Sequence, residues 1–462
     1  MRVFLNRARL ITASSLLLAG AVLIADGTRF SDFTPLTASS GPAADEAFPL
    51  ILSSEAFEQR SIANRQAQLD AGIPNSGNWD MITTNETGPH VGRFLFTVFE
   101  TGQSGVQRHD LETGVTDTIW HSPNPGDHVA FDPSYWTPWG TFITGEESWE
   151  TAAAGSTSPY GRLFELKNAL DAPAIVGTPS AAKNVNAIFV HQNVIPRTSH
   201  EGIQFDGDGN MYFIDELNGG NIYKYVSEAK LSDVKRGAAD YFAAGQTFVL
   251  RVGNGATANA TGPFLWIPFT NADGTALQGA ITITDVRGVT SVDARNTTNL
   301  TAFKGTDYQR PEDMQKQTLN GNDYLYFTTT STGEVYRIDL KNSTISVFVN
   351  TQTINLATGV AVGSALNGVD NLAIDGDNNI YVVEDSAGGS NNDIWFANDL
   401  NQDGDLTDAG EGLARWASNG AVGSEFTGLY FDPFNKRRAW VNIQHPDSGD
   451  DRTVEITIPG RR

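Results

Sequence analysis

Carboxylates recur at the ends of short apolar runs. In SHEGIQFDGDGNMYFIDE, from Ser199 to Glu216, Glu201 precedes one such run, and Asp215 and Glu216 close the next. Elsewhere Glu100 follows FLFTVF, Glu146 and Glu147 follow FIT, Glu312 opens the segment that leads to NDYLYF, Asp370 precedes NLAI, and Glu384 and Asp385 follow IYVV. A solvated strand end accounts for any one of these residues. Their recurrence implies more: carboxylates gathered together repel and raise one another's pKa unless cations neutralise them, and oxygen ligands suit hard ions such as Ca2+, Mg2+ or Fe3+. Convergence of such residues on one axis predicts a metal site.

A second signal is NDLNQDGDLTDAGE. Asp399, Asn401, Asp403 and Asp405 alternate around Gly404 as oxygen ligands do in the first half of an EF-hand loop. The twelfth position is Gly410 where a bidentate Glu belongs, with Asp408 and Glu411 as the available substitutes. The expectation is a structural Ca2+ there, against an Asx-rich turn. DGDGN (206 to 210) and DGDNN (375 to 379) fit hairpin turns instead. In QRPEDM, Pro311 stiffens the backbone between Arg310 and Glu312, a guanidinium able to grip phosphate and a carboxylate able to hold a metal. A surface ion pair is the alternative. His445, in VNIQHP, reads as a structural histidine, and there is no phosphate-binding P-loop, G-x-S-x-G elbow or H-E-x-x-H pair.

The elements that must carry these residues are short strands. Six segments alternate at period two, with Asp, Gly and Asn at their joints: GRFLFTVFETGQSGVQRHDLETG, WGTFITGEESWE with YGRLFELKN, HEGIQFDGDGNMYFIDELNGGNIYKYV, RPEDM with NDYLYFTTTSTGEVYRIDL, DNLAIDGDNNIYVVEDSAGGSNNDIWFAND, and FTGLYFDPFNKRRAWVNIQHP. Repeated antiparallel sheets of this kind cannot bury both faces alone, and radial repetition leaves only short edges. The expected fold is all-β, a six-bladed β-propeller with insertions and an N-terminal lead-in. In a propeller, carboxylates at equivalent blade positions converge on the central channel. The stretch Gln246 to Gly305, rich in Thr, Asn and Gly and containing AITITDV, is either an insertion or one further blade.

Composition agrees. Hydrophobic residues are 40% and charged residues 18%, with 46 glycines, a balance suited to strands and tight turns over 462 residues. The net charge of −23 argues against nucleic acid and anionic lipid as partners. Without cysteine there are no disulfides, thiolate metal sites or thiol nucleophiles. At the N-terminus, Arg2, Arg7 and Arg9 precede an apolar run from about Leu10 to Ala25, the layout of a secretory signal, so residues 1–25 are expected to direct export to the periplasm or beyond. An uncleaved anchor is the alternative, and Ala8 between Arg7 and Arg9 speaks against a twin-arginine signal. Residues 26–87 read as a lead-in packed on the main body, with one helix-like patch, SSEAFEQRSIANRQAQLDAG, and residues 88–462 as the propeller of a monomer.

In order along the chain, WGTFITGEES, PRTSHEG, QRPEDM, TGEVYRIDL, DNLAID and VNIQHP resemble the PhoX-type alkaline phosphatases, exported bacterial phosphomonoesterases, from roughly Arg93 to Pro446. The resemblance implies a six-bladed propeller whose channel holds Ca2+ and Fe3+, with Glu201 and Glu312 as metal ligands and Arg310 on the phosphoryl oxygens. It extends, more weakly, to Glu146, Glu147 and Asp370. In one place the sequence departs: where the family carries a cysteine in T-C-E-E, this chain has Thr144-Gly145-Glu146-Glu147. A thiolate is impossible there, which weakens the expectation of Fe3+. The function expected is an exported, metal-dependent phosphomonoesterase acting on small phosphate esters. The alternatives are a non-catalytic calcium-binding propeller and another calcium-dependent propeller hydrolase such as a lactonase or phytase.

Overall fold

The computed structural model describes residues 29–149, 157–177, 184, 186–295, 301–385 and 392–460; the expected signal at 1–25 lies outside them. Six antiparallel units of four strands follow one another along the chain. The first runs Trp79–Thr84, Phe94–Phe99, Gly105–Asp110 and Val115–His121, and the second Tyr135–Trp136, Phe142–Gly145, Leu163–Leu166 and Phe189–His191. The third opens on His200–Phe205 and Met211–Asp215, the fourth on Pro311–Leu319 and Asn322–Thr329, the fifth on Val369–Ile374 and Ile380–Glu384, and the sixth on Glu425–Phe431 and Arg438–Gln444.

Burial explains why these runs are so apolar. The second strands Phe94–Phe99 and Met211–Asp215 are buried at every residue, because strands near the centre have a neighbouring unit on each face, whereas the outer strand Thr344–Val349 mixes buried and more exposed positions. Apolar clusters join unit one to two through Phe96 and Phe142, two to three through Ile143 and Ile203, three to four through Ile214 and Phe327, four to five through Tyr326 and Val382, and five to six through Tyr381 and Val441. Ile82, Leu95 and Trp440 join the sixth unit back to the first. The ring therefore closes as a β-propeller, and six units are consistent with the expected number of blades.

Where inner strands meet, a side chain would not fit. A Cβ on Gly202 would overlap the backbone of Met314 in the next unit, and one on Gly428 would lie 2.8 Å from Ile82 N. Side chains stitch the same seams: Leu372 N donates to Asp313 Oδ2 at 2.9 Å, and Gly428 N donates to Asn371 Oδ1 at 2.8 Å.

Three expectations change. The boundary at residue 88 cuts through the first unit, since Trp79–Thr84 is its inner strand. The helix-like patch is mainly the strand Glu58–Asn64, followed by a single five-residue helix, Gln66–Asp70. That strand pairs with Arg452–Thr457 and completes the last unit, so the lead-in is part of the propeller; pairing with a partner outweighed a weak helical pattern. The stretch 246–305 is not a further blade. It supplies the outer strands Gly245–Val252 and Gly262–Pro268, which link units three and four into one sheet, and a separate hairpin of Ile281–Thr284 with Thr290–Asp293. No helix among the described residues is long and apolar enough to cross a membrane.

Candidate metal centre

The strand register explains how the carboxylates converge. Inner and second strands pair Trp79 with Phe99, Phe131 with Glu146, His200 with Asp215, Pro311 with Thr329, Val369 with Glu384, and Glu425 with Gln444. In units one, three, four and five the register shifts directly after this pair, and such bulges re-aim side chains beside functional sites. The residues that follow on the inner side are Asp80, Asp132, Glu201, Glu312, Asp370 and Phe426; those that follow on the second strand are Glu100, Glu147, Glu216, Thr330, Asp385 and His445. These two tiers meet around the channel.

Ligand oxygens of Asp132, Glu147 and Glu201 lie within 4.8 Å of one another, and so do those of Glu201, Glu216 and Glu312. Glu201 belongs to both groups and is the carboxylate they share. Burial, and then the charge of neighbours, pushes the carboxyls of Asp80, Glu100, Asp132, Glu201, Glu216 and Asp370 well above the usual range. The Glu312 carboxyl is pushed up to about 8 by burial, although Arg310 and Thr330 pull the other way. Buried oxygens in mutual repulsion fit a divalent cation, whose charge removes the repulsion and replaces the lost hydration. All the donors are hard carboxylate oxygens, which suits Ca2+.

A thiolate-held Fe3+ does not fit. Gly145 offers no donor, and its space is taken: a Cβ there would lie 2.6 Å from His200 Cβ and 2.7 Å from His200 Cγ. The ring of His200 lies near Phe213, and its Nδ1 meets Thr198 Oγ1 at 2.9 Å.

Arg310 stands at the edge of the two groups with φ at +51°, a left-handed conformation that is uncommon for a side-chain-bearing residue and clusters at functional sites. Its Nε and Nη2 donate to Glu216 Oε1 at 3.0 and 2.7 Å, and Nη2 lies 3.1 Å from Glu312 Oε1. Thr330 Oγ1 donates to Glu312 Oε1 at 2.6 Å. The guanidinium also lies 5.2 Å from the ring centroid of Trp149, whose Nε1 donates to Glu147 Oε1 at 2.9 Å. In the sixth unit, His445 has φ at +41° and its Nε2 is 2.5 Å from Glu425 Oε1. That bond pushes the imidazole up to about 9. Burial would raise Glu425, but hydrogen bonds from His445 and Asp385 outweigh it and bring its carboxyl below the usual range.

Of the expected site residues, Glu147, Glu201, Glu216, Glu312, Asp370 and Arg310 come together. Glu146 and Asp215 do not, because consecutive strand residues point to opposite faces. Glu146 accepts Arg162 Nε at 2.9 Å and Nη2 at 2.5 Å, with the backbone N–H groups of Arg162 and Val129 on the same carboxylate, so it is not free to hold a cation. Asp215 turns back to Ser199 N at 3.0 Å, away from the channel, and Glu384 likewise caps Asn367 N, Asp393 N and Trp395 Nε1.

The loop of Asp399, Asn401, Asp403 and Asp405 joins the outer strands Asp393–Asn398 and Gly412–Asn419. Its side chains serve the backbone, Asp399 accepting Gly404 N, Asn401 accepting Asp403 N, and Asp405 accepting Thr407 N. The guanidinium of Arg337 packs against Gly404. Among the described residues, the two groups of three acidic or imidazole ligand atoms both lie in the channel, and none is in this loop.

Sequence reasoning did not assign Asp80 or Asp132 to the site. Both carry the same signal as the others, an acidic residue against an apolar run in NWDMIT and VAFDP, but Trp79–Thr84 falls inside the expected lead-in and Tyr135–Trp136 is only two residues long.

Fold and site together define a β-propeller with a carboxylate-lined centre and an arginine at its edge. The family model described as alkaline phosphatase PhoX matches residues 136–447, and the chain belongs to that family of phosphatases. Comparison with curated proteins yields no match. Among solved structures, similarity extends to a virginiamycin B lyase from Staphylococcus aureus at 12% identity, covering 87% of this chain and 100% of that one with a TM-score of 0.44. A gluconolactonase from Xanthomonas campestris is similar at 10% identity over 91% of this chain and 98% of that one, TM-score 0.43. A putative phosphatase from Bacteroides thetaiotaomicron is similar at 13% identity over 84% and 72%, TM-score 0.39.

Proposed function

We propose that this chain is an exported, calcium-dependent phosphomonoesterase that releases phosphate from small organic esters at the channel mouth. The observation that carries the reading is the pair of carboxylate groups sharing Glu201 beside Arg310. Asp132, Glu147 and Glu201 would hold one Ca2+, and Glu201, Glu216 and Glu312 a second, with Asp80 and Asp370 adding negative charge around them. Bound there, calcium supplies charge neutralisation and polarisation of a phosphoryl oxygen.

Arg310 binds the phosphoryl oxygens through the same planar N–H array that now contacts Glu216 and Glu312. Those two carboxylates fix its orientation before substrate arrives, so little reorganisation is needed when charge develops. Burial of Glu201, Glu216 and Glu312 keeps bulk water from screening the site. Export rests on the N-terminal arginines followed by the apolar run, together with family membership.

The test is phosphate release from p-nitrophenyl phosphate before and after chelation, with bound metal counted on the same sample. Activity lost on chelation and restored by Ca2+ is the expected result, and Glu312→Gln should lower kcat at least a hundredfold, the scale of a lost transition-state contact, about 2.7 kcal/mol. Bound calcium without turnover would leave a calcium-binding propeller, the reading that Gly145 favours by removing the family thiolate.

A further inference from the structure

Trp149 is the large apolar side chain beside the two carboxylate groups that stays in solvent, 44% exposed. Exposed indoles are individually common. This one is held in place at two points. Its Nε1 donates to Glu147 Oε1 at 2.9 Å, within one of the cation groups, and the Arg310 guanidinium covers its ring at 5.2 Å from the centroid. Among the described residues no aromatic side chain stacks on it. A ring that is fixed in orientation, wet and free of aromatic partners is a preorganised surface for a planar group, because little ordering remains to oppose binding.

Its position relative to the reacting centre matters as much. Arg310 joins Trp149 to Glu216 and Glu312, so a phosphoryl group gripped by Arg310 has the indole as its immediate neighbour. The alcohol of a monoester held there would have this exposed indole within reach.

We propose that Trp149 is the specificity-determining residue of this site and selects phosphate monoesters whose alcohol carries a planar aromatic ring. The inference rests on the phosphomonoesterase reading for its substrate but not for its test. Stacking of an aromatic ring on an indole, at about 1–3 kcal/mol per base when measured on nucleic acids, corresponds to roughly a 5- to 140-fold preference. An aliphatic ester such as glycerol phosphate would forgo that contact and keep the contacts to its phosphoryl group.

Two measurements on the full chain separate the outcomes. In the first, calorimetry compares binding of phenylphosphonate and methylphosphonate, neither of which needs turnover, to the calcium-loaded wild type, Trp149→Ala and Trp149→Phe. The expected result is that the wild type prefers the phenyl compound about tenfold, that the alanine variant loses the preference, and that the phenylalanine variant, with an aromatic face but no Nε1, keeps most of it. In the second, kcat/KM is compared for p-nitrophenyl phosphate and glycerol phosphate; the aryl preference should collapse in Trp149→Ala, mainly through KM. Equal losses on both phosphonates and both esters would mean that Trp149 only shields Arg310, and would overturn the inference. No hydrolysis of either ester by the wild type, with the phenyl preference intact, would overturn the phosphatase reading while leaving the stacking surface in place.

Discussion

Between Glu146 and Glu147 the strand turns one carboxylate onto Arg162 and the next toward Glu201. The first is fully buried and satisfied by four N–H donors, so its negative charge is as much a part of the packing as an apolar side chain would be. Breaking such a pair strands the other charge. Glu146→Gln should therefore lower stability by about 3–5 kcal/mol, seen as a lower midpoint in urea, while the number of bound calcium ions per folded chain stays the same. Loss of calcium at unchanged stability would show that Glu146 belongs with the channel ligands instead. At this scale the sequence showed which residues carry charge. It did not show which way each one points, because adjacent acidic residues at a strand end have the same composition and opposite faces.

The inner strand is the element that determines this site. Its opening residue pairs with the second strand, in four units the register slips directly afterwards, and in five of the six units the next residue is acidic, Phe426 being the exception. Close approach between units is what allows the tiers to meet, and it depends on Gly202 and Gly428. Gly202→Ala should cost about 3 kcal/mol, the upper end of the usual overpacking penalty, and should weaken calcium binding through the neighbouring Glu201. A variant with wild-type urea midpoint and calcium affinity would show that the seam has slack. The second and third strands of most units were legible as alternating runs. The first inner strand and the closing strand Glu58–Asn64 were not, because a strand completed by a partner almost 400 residues away needs no strong pattern of its own.

Over the whole molecule, the buried acids give stability a definite dependence on pH. Asp215 and Glu312 are held up to about 8 and Asp313 to about 7, in each case chiefly by burial, above their ordinary values of 3.8, 4.5 and 3.8. Between those limits the native chain binds more protons than the unfolded chain, so their contribution is present at low pH and is lost as pH rises through about 8. His445, raised to about 9 by its bond to Glu425, acts with the same sign. The buried histidines act the other way. His109, His191 and His200 are pushed down to about 4, 3 and 3 by burial, so they favour the native state above 6.5 and cost stability as pH falls below it. Above 6.5 those three are neutral in both states, which leaves the carboxylates and His445 to set the slope. The metal-free chain should therefore show a falling thermal midpoint from pH 6.5 to about 8, and added Ca2+ should raise the midpoint more at pH 8 than at 6.5, because there it no longer competes with protons. A calcium increment independent of pH, measured by scanning calorimetry, would place the ion away from these acids.

The order of strands and turns, the acidic excess, the absence of thiols and the motifs that mark the family were all set by the sequence itself, because period-two burial and turn chemistry are local and are written in neighbouring residues. What only the tertiary structure decided is which acids share a site. Asp80, Asp132, Glu201, Glu312 and Asp370 lie on five different units, separated by tens of residues, and meet because the ring closes through the Ile82, Leu95 and Trp440 core and the Glu58–Asn64 strand. Closure is a long-range event: no local run of residues encodes the distance between two blades, whereas the channel that closure creates forces their opening side chains together.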